Sequence, residues 1–226
     1  MTARPLLILG AGGLSRETLS AVQAINAVAP QWTALGFLDD DPGLHGRKVA
    51  GMPVLGPLEL VAEHPDAALV LCIASPKNLG NRKKIVARLG LDPQRYATIT
   101  HPAASVAAGT ELGAGTVFLA GVVVTASQVI GAHVCAMPHT VFTHDDRVAD
   151  YAMFATGVLL SGSVSVGESA YLGAGSMIRE GLTIGAGSLV GMGSVVLNNV
   201  PPGEVWVGNP ARYLRTFNQL PTRTSA

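Results

Sequence analysis

A group of polar residues suited to proton transfer interrupts an apolar stretch near the middle of the chain. His144 is followed at once by Asp145 and Asp146. A histidine can serve as a general base, which takes a proton from an attacking amine or hydroxyl. A neighbouring carboxylate, from Asp145 or Asp146, can hold the imidazole in the required tautomer and raise its basicity. His144 is therefore the first candidate for a catalytic residue.

The element that must position His144 is indicated by a repeat with a period of six. From residue 106 to residue 196 every sixth residue is apolar, and fifteen of these sixteen are large, Ala136 being the exception. A second column, four residues later, is small or β-branched except at Gln128, Asp146 and Leu182. A period of six fits neither an amphipathic helix nor an ordinary strand. It is typical of a prism in which three hexapeptides, each a short strand and a tight turn, close one triangular coil.

The repeat predicts which residues stack on His144. Adjacent coils lie ~4.8 Å apart, the spacing of neighbouring strands, so residues 18 apart lie nearly on top of one another. His144 comes two residues after an inward position, so its side chain should leave the prism, and Gly162 should lie next to it. A glycine leaves room there and exposes a backbone N–H that can stabilise an oxyanion. A general base beside such a donor is what acyl transfer needs.

The rest of the chain reads as an α/β domain before the prism and a short segment after it. In residues 1–100, strands at 6–9, 34–38 and 68–74 alternate with helical segments at 14–28, 57–63 and 78–89, which predicts a Rossmann-like parallel sheet. The sixteen hexapeptides of residues 101–200 should form about five coils. Residues 201–226 should form a loop, a short helix over Pro210–Phe217 and a tail. We expect the two flanking segments to cover the open ends of the prism.

Composition limits the classes of function. The net charge is zero, which does not favour nucleic acid or an anionic membrane as a partner. The chain is 48% hydrophobic and 13% charged, which excludes a disordered protein, and no segment reaches the ~18 apolar residues that span a bilayer. Cys72 and Cys135 lie far apart in sequence, so we expect neither a disulfide framework nor a cysteine zinc site, and we expect a cytoplasmic protein.

Five motifs, taken in order, carry a resemblance to a known family: Ile8–Gly13, Phe37–Asp40, His101-Pro102, His144-Asp145 and Val207–Ala211. Over nearly its whole length the chain resembles the left-handed β-helix sugar O/N-acyltransferases of the sialic-acid-synthesis and bacillosamine-synthesis acetyltransferase family. The resemblance implies a Rossmann-like domain followed by a left-handed hexapeptide β-helix, assembled as a homotrimer. It also implies an acetyl-CoA-dependent N- or O-acetyltransferase whose acceptor is an amino sugar, free or nucleotide-linked.

The resemblance assigns catalytic roles to three residues. His144 corresponds to the general base, Asp145 to the acidic residue after it, and the Gly162 N–H to the donor that binds the acetyl carbonyl. A second family histidine near the thioester falls at Met153, so any role of that side chain is lost.

The acceptor site implied by the resemblance lies in the first domain. Gly12 and Gly13 correspond to the glycine turn of the family, and Asp39 and Asp40 to the acidic pair after its second strand. Members that act on nucleotide sugars usually follow the glycines with histidine, and Leu14 stands there in this chain.

The donor, acetyl-CoA, is expected along the prism beside a neighbouring subunit. No lysine follows Lys84, so the phosphates of the co-substrate must meet backbone N–H groups or arginines. We assign six residues to this site: Met153, Gly173, Arg179, Gly191, Asn209 and Arg212. Arg215 and Gly193 are further possibilities.

Other functions remain open at this point. His139 and His144 are separated by four residues, as is a ligand pair of the γ-class carbonic anhydrases, and in such a metal site His133 or His101 would be the third ligand. An O-acetyltransferase acting on a small molecule without a nucleotide is a second alternative, and a scaffold that kept the fold without activity is a third.

Overall fold

The N-terminal domain is a five-stranded sheet with helices against it. The computed structural model describes residues 3–217. The strands lie in the order β3-β4-β2-β1-β5, and all neighbouring pairs are parallel except the antiparallel hairpin of β3 and β4. Leu6–Leu9 is buried on both faces of β1, which explains its continuous apolar run. The elements of this domain are β1 (Arg4–Leu9), α1 (Gly13–Val28), β2 (Trp32–Leu38), β3 (Lys48–Val49), β4 (Met52–Gly56), β5 (Ala68–Leu71) and α2 (Asn81–Leu89), with 3-10 turns at Pro42–Leu44, Leu58–Glu63 and Pro93–Arg95.

The remaining strands form a three-faced parallel prism. The first face contains β7 (Ser105–Val106), β10 (Val123–Val124), β13 (Val141–Phe142), β16 (Leu159–Leu160), β19 (Met177–Ile178) and β22 (Val195–Val196). The second contains β8 (Glu111–Leu112), β11 (Val129–Ile130), β14 (Arg147–Val148), β17 (Ser165–Val166) and β20 (Thr183–Ile184). The third contains β6 (Ile99–Thr100), β9 (Val117–Phe118), β12 (Cys135–Ala136), β15 (Met153–Phe154), β18 (Tyr171–Leu172), β21 (Leu189–Val190), β23 (Glu204–Gly208) and β24 (Ala211–Thr216).

The two columns of the repeat have the roles that their side chains suit. The large apolar column forms the core of the prism, with Val106 and Leu112 of the first coil partly buried and the rest buried. The small column is buried at the corners, apart from the partly buried Thr110. From β7 to β22, strands of neighbouring coils pair at an offset of 18 residues, as Val124 does with Phe142. The turns form three edges of the prism. The first edge lies between the first and second faces, the second edge between the second and third faces, and the third edge between the third and first faces. The first edge consists of residues 107–110, 125–128, 143–146, 161–164, 179–182 and 197–200.

The N-terminal domain covers a face of the prism, where an open end was expected. The outward residues Val117, Cys135 and Met153 of the third face belong to one apolar cluster with Leu6 and Ile8 of β1. Without the domain this apolar face of the prism would be exposed to water, which is unfavourable. Within residues 3–217 no helix is long and apolar enough to cross a membrane.

The C-terminal segment is a β-hairpin, so the predicted helix over Pro210–Phe217 is wrong. β23 extends the third face by pairing in parallel with β21, and β24 (Ala211–Thr216) pairs with β23 antiparallel. The unpaired edge of β21 and then β23 offers a ladder of backbone partners, which an eight-residue helix lacks. Trp206 packs against the prism core, to which Ala211 belongs, so the hairpin covers this end of the coil stack. The tail lies outside the described residues.

Candidate active site

His144 lies in an exposed turn on the first edge, directly after β13. Its Nδ1 is 2.8 Å from Oδ2 of Asp145, and the two side chains are 67% and 78% exposed. Asp145 has a φ of 60°, in the left-handed region that glycine usually occupies at this position of the turn, as at Gly157 and Gly175. Of the two candidate aspartates, Asp145 is therefore the one that contacts the imidazole.

The imidazole of His144 lies over Gly162, one coil further along the prism. A Cβ atom built on Gly162 would be 2.5 Å from Nε2 of His144 and 3.0 Å from Nδ1, so no side chain fits beneath the ring in this position. Within residues 3–217 the Gly162 N–H donates to no acceptor, whereas its carbonyl accepts from Gly181 N at 2.9 Å. The structure thus brings the His144 imidazole next to a free amide donor, as the 18-residue spacing predicts.

Asp146 is buried beneath this turn and does not bond to the imidazole. It is 2% exposed, and its carboxylate accepts hydrogen bonds from the backbone of Thr143 and Val164, each at 2.9 Å. Burial raises the pKa of Asp146 to about 6 although these two N–H groups act in the opposite direction.

An open groove runs beside the His144–Asp145 pair along the second face. Its volume is about 840 Å³, and Asp145, Arg147, Ser165 and Thr183 are among the residues that line it. A groove of this size can hold an extended small molecule next to the His144–Asp145 pair.

The residues predicted for the donor site lie in two separate regions of the chain. Arg179 is exposed on the first edge, two coils beyond Thr143 and hence ~10 Å along the prism axis. Gly173 and Gly191 lie on the third edge, and a Cβ on Gly173 would be 2.5 Å from Met192 N. Asn209 and Arg212 are exposed in the C-terminal hairpin.

Met153 lies on a different face of the prism from His144 and exposes little of its side chain to a donor. It is 9% exposed on the third face and packs in the apolar cluster under the N-terminal domain, away from the first edge. Gly173 also has a packing reason for its lack of a side chain, because the backbone of the next coil lies where Cβ would be.

The acceptor residues predicted in the first domain meet at the carboxyl edge of its sheet. Gly12 and Gly13 are exposed, and a Cβ on either would have no neighbour within 4 Å. Asp39 accepts from Ala11 N at 2.8 Å through one oxygen and from Asp41 N at 3.0 Å through the other. Leu14, in place of the usual histidine, is buried in the domain core.

Asp40 bonds to other residues of the first domain than Asp39 does. Its carboxylate accepts from Leu58 N at 3.0 Å and forms an ion pair of 2.7 Å with Arg88. Burial alone would raise the pKa of Asp40, but the bonds from Leu58 and Arg88 outweigh it and lower the pKa. Both aspartates therefore hold the sheet edge together, and Asp39 fixes the glycine turn.

The other histidines near the prism lie on different edges from His144. His139, on the third edge, lies over Gly121, and His133, on the second edge, is 3% exposed between Tyr96 and Tyr151. Within residues 3–217 no group of three or more histidine, cysteine, aspartate or glutamate side chains has a spacing that could hold a metal ion.

The chain combines a Rossmann-like domain with a hexapeptide β-helix and stacks a histidine on a glycine. Comparison with known proteins finds the same combination of domains. Residues 5–89 match the PglD N-terminal domain family. Comparison with curated protein sequences gives no match.

Several solved structures are similar to nearly the whole chain. A variant of perosamine N-acetyltransferase from Caulobacter crescentus, in complex with CoA and GDP-perosamine, is 28% identical with a TM-score of 0.81, covering 93% of this chain and 96% of its own. The acetyltransferase domain of PglB from Neisseria gonorrhoeae is 27% identical with a TM-score of 0.79, covering 93% and 100%. WeeI from Acinetobacter baumannii is 28% identical with a TM-score of 0.79, covering 92% and 99%.

These likenesses confirm the predicted fold, a Rossmann-like domain followed by a left-handed β-helix, and the resemblance to hexapeptide-repeat sugar acetyltransferases.

Proposed function

We propose that this protein transfers the acetyl group of acetyl-CoA to the amino group of an amino sugar, most simply a nucleotide-linked one. The observation that carries the proposal is the stacking of the His144 imidazole on Gly162 beside an open groove. The similar enzyme with bound CoA and GDP-perosamine supports both the co-substrate and the class of acceptor.

The base and its partner fit the proton transfers of this reaction. With Nδ1–H donated to Asp145, the lone pair of Nε2 is free to take a proton from the amino group as its nitrogen attacks the thioester carbonyl. The carbonyl oxygen becomes an oxyanion, which the Gly162 N–H stabilises. When the intermediate collapses, the C–S bond breaks and the protonated imidazole returns a proton to the CoA thiolate, leaving an amide and free CoA.

The separation of the donor residues within one chain supports a shared site between subunits. Arg179 lies on the first edge, as His144 does. The other donor residues, Gly191, Asn209 and Arg212, lie on the third edge or the third face. A molecule bound at His144 therefore contacts both groups of residues only if a second copy of the chain supplies one of them. We propose a homotrimer with three equivalent sites, each between two prisms.

The outward column of the first face supports this assembly. It is apolar in every coil after the first, where Ser105 stands, and Leu159 is 39% and Met177 50% exposed. Burying such residues favours association. Light scattering at the concentrations used for kinetics should give three times the mass of one chain. A stable monomer with full activity would exclude a shared site.

The acceptor is assigned to the sheet edge of the first domain. Gly12 and Gly13 leave that edge open, and parallel sheets bind ligands at the carboxyl ends of their strands. A hydroxyl acceptor would need the same base as an amine, so O-acetylation is the alternative outcome of the test below.

The test combines acceptor screening with two matched histidine variants. The protein is incubated with acetyl-CoA and a panel of amino sugars, free and nucleotide-linked, and the products are analysed by mass spectrometry. His144→Ala should lower kcat by about 10²–10⁴-fold, the range for a positioned general base. His139→Ala is the control, because His139 also lies over a glycine, Gly121, but on another edge. Near-normal turnover by His144→Ala would remove His144 from the mechanism.

A further inference from the structure

The three residues that break the small column of the repeat all lie on the edge that carries His144. The inner corner of the first edge contains Thr110, Gln128, Asp146, Val164, Leu182 and Val200, whereas the second and third edges have alanine, serine, threonine or valine at the equivalent positions. The departures therefore coincide with the candidate active site and with no other edge.

Asp146 connects the two turns from which the site is built. Its Oδ2 accepts from the N–H of Thr143, the residue before His144, and its Oδ1 accepts from the N–H of Val164, two residues after Gly162. Both bonds are 2.9 Å long, and the backbone N–H of Asp146 donates in turn to Oε1 of Gln128 at 3.0 Å. One buried carboxylate thus fixes the turn of the base relative to the turn of the oxyanion donor.

This carboxylate replaces a backbone bond that neighbouring coils make. Thr125 N donates to Phe142 O, and Ser161 N donates to Ile178 O, each at 3.0 Å. In the described part of the chain Thr143 N makes no such bond to Leu160, and β13 is in register with β16 at Val141–Leu159 alone. At the coil boundary that separates His144 from Gly162, the first edge is therefore held by the Asp146 side chain together with one backbone bond, from Ser163 N to His144 O at 2.9 Å.

We propose that Asp146 is a positioning residue that sets the separation between the His144 imidazole and the Gly162 N–H. This inference rests on the proposed acetyl transfer. Asp146 touches neither reacting atoms nor the imidazole, so it acts through the backbone of the two turns.

The ionised form of Asp146 is the form that the geometry requires. A carboxylate can accept at both oxygens, whereas a protonated carboxyl or an amide has one good acceptor oxygen. Two charged groups act on Asp146: His144 lowers its pKa and Asp145 raises it, both less than burial does. With a pKa of about 6 the group is mostly ionised at neutral pH.

The test replaces Asp146 without removing its volume. Asp146→Asn should lower kcat by about 10–10²-fold, because a small misplacement of catalytic groups has effects of that size. The KM for acetyl-CoA should stay within about twofold, since the bonds lost are not part of the donor site. Asp150→Asn is the matched control: Asp150 also accepts a backbone N–H from a neighbouring coil, Ala132 N at 2.8 Å, but on the second edge.

A second variant and a double variant keep the test decisive. Asp146→Ser places in the corner a residue that Ser176, Ser188 and Ser194 show to fit, and it should lose activity as Asp146→Asn does. The variant combining Asp146→Asn with His144→Ala should be no slower than His144→Ala alone, because a residue acting through His144 adds nothing once that base is gone. Hydrogen exchange at Thr143 and Val164 should quicken in both Asp146 variants, whatever the acceptor.

Each result separates this inference from the proposed function. If His144→Ala is inactive but Asp146→Asn turns over normally, the positioning role is wrong and the function stands. Multiplicative losses in the double variant, or unchanged exchange at Thr143 and Val164, would also overturn it. If His144→Ala keeps its activity, the proposed mechanism itself is wrong. If the Asp146 variants exchange faster at Thr143 and Val164 but turn over normally, Asp146 has a structural role only.

Discussion

The stacking of His144 on Gly162 makes Gly162→Ala the sharpest test of the site. The added methyl carbon would lie 2.5 Å from Nε2 of His144, whereas carbon and nitrogen atoms in contact are about 3.5 Å apart. The imidazole must therefore move by about 1 Å or rotate away. Because the His144 side chain is 67% exposed, it can move into solvent, and the stability should change by no more than about 0.5 kcal/mol.

The catalytic cost of that displacement should be large. A misplacement of about 1 Å can lower a rate by about 10²-fold, so we expect kcat to fall by about that factor while the Gly162 N–H itself remains. Gly162→Val should lose more, because its bulk also occupies the space of the thioester. Rates are measured by release of the CoA thiol with an accepted amino sugar, and donor affinity by calorimetry.

Gly80→Ala provides the control for the loss of a glycine. Gly80 has a φ of −81° and nothing within 4 Å of its Cβ position, and it lies in the first domain. It should leave both kcat and the melting temperature unchanged. If Gly162→Ala turns over within about twofold of the wild-type rate, the imidazole does not work from its place above Gly162, and the stacking argument is refuted at this site.

Three further predictions concern the aspartates. Asp145→Gly should keep or raise the melting temperature, because the φ of 60° suits glycine, yet lower kcat about fivefold, since an exposed ion pair contributes up to ~1 kcal/mol; unchanged kcat would remove Asp145 from the mechanism. Asp39→Ala combined with Asp40→Ala should raise the KM of the acceptor and leave that of acetyl-CoA unchanged; calorimetry with unaltered acceptor affinity would place the acceptor elsewhere. Asp146 has a pKa of about 6 in the folded protein against an ordinary 3.8, so the folded state binds the extra proton between these values and loses about 3 kcal/mol of stability as the pH rises through them. Melting temperatures from pH 4 to 7 should therefore fall for the wild type relative to Asp146→Asn, and parallel curves would contradict the raised pKa.

The sequence by itself determines the prism and the pairing of His144 with Gly162. The hexapeptide period is a local property, repeated sixteen times, and each repeat reports the same inward column, so no single departure such as Ala136 obscures it. Once the period is known, stacking at 18 residues follows from the geometry of the coil alone. The α/β character of the first domain follows in the same way from strands alternating with helices.

Other features depend on contacts between distant residues, and only the tertiary structure decides them. The chemistry of the residues leaves Asp145 and Asp146 both open as partners of His144, and only the family resemblance favours Asp145. The turn points Asp145 towards the imidazole and Asp146 into the corner. The third face is covered by the first domain, which makes Met153 a packing residue. The C-terminal segment becomes a strand because β21 leaves an unpaired edge beside it. The sequence pattern contains the period of the fold. The surfaces that pack together are chosen by the apolar area that each contact buries and by the backbone groups that it hydrogen-bonds.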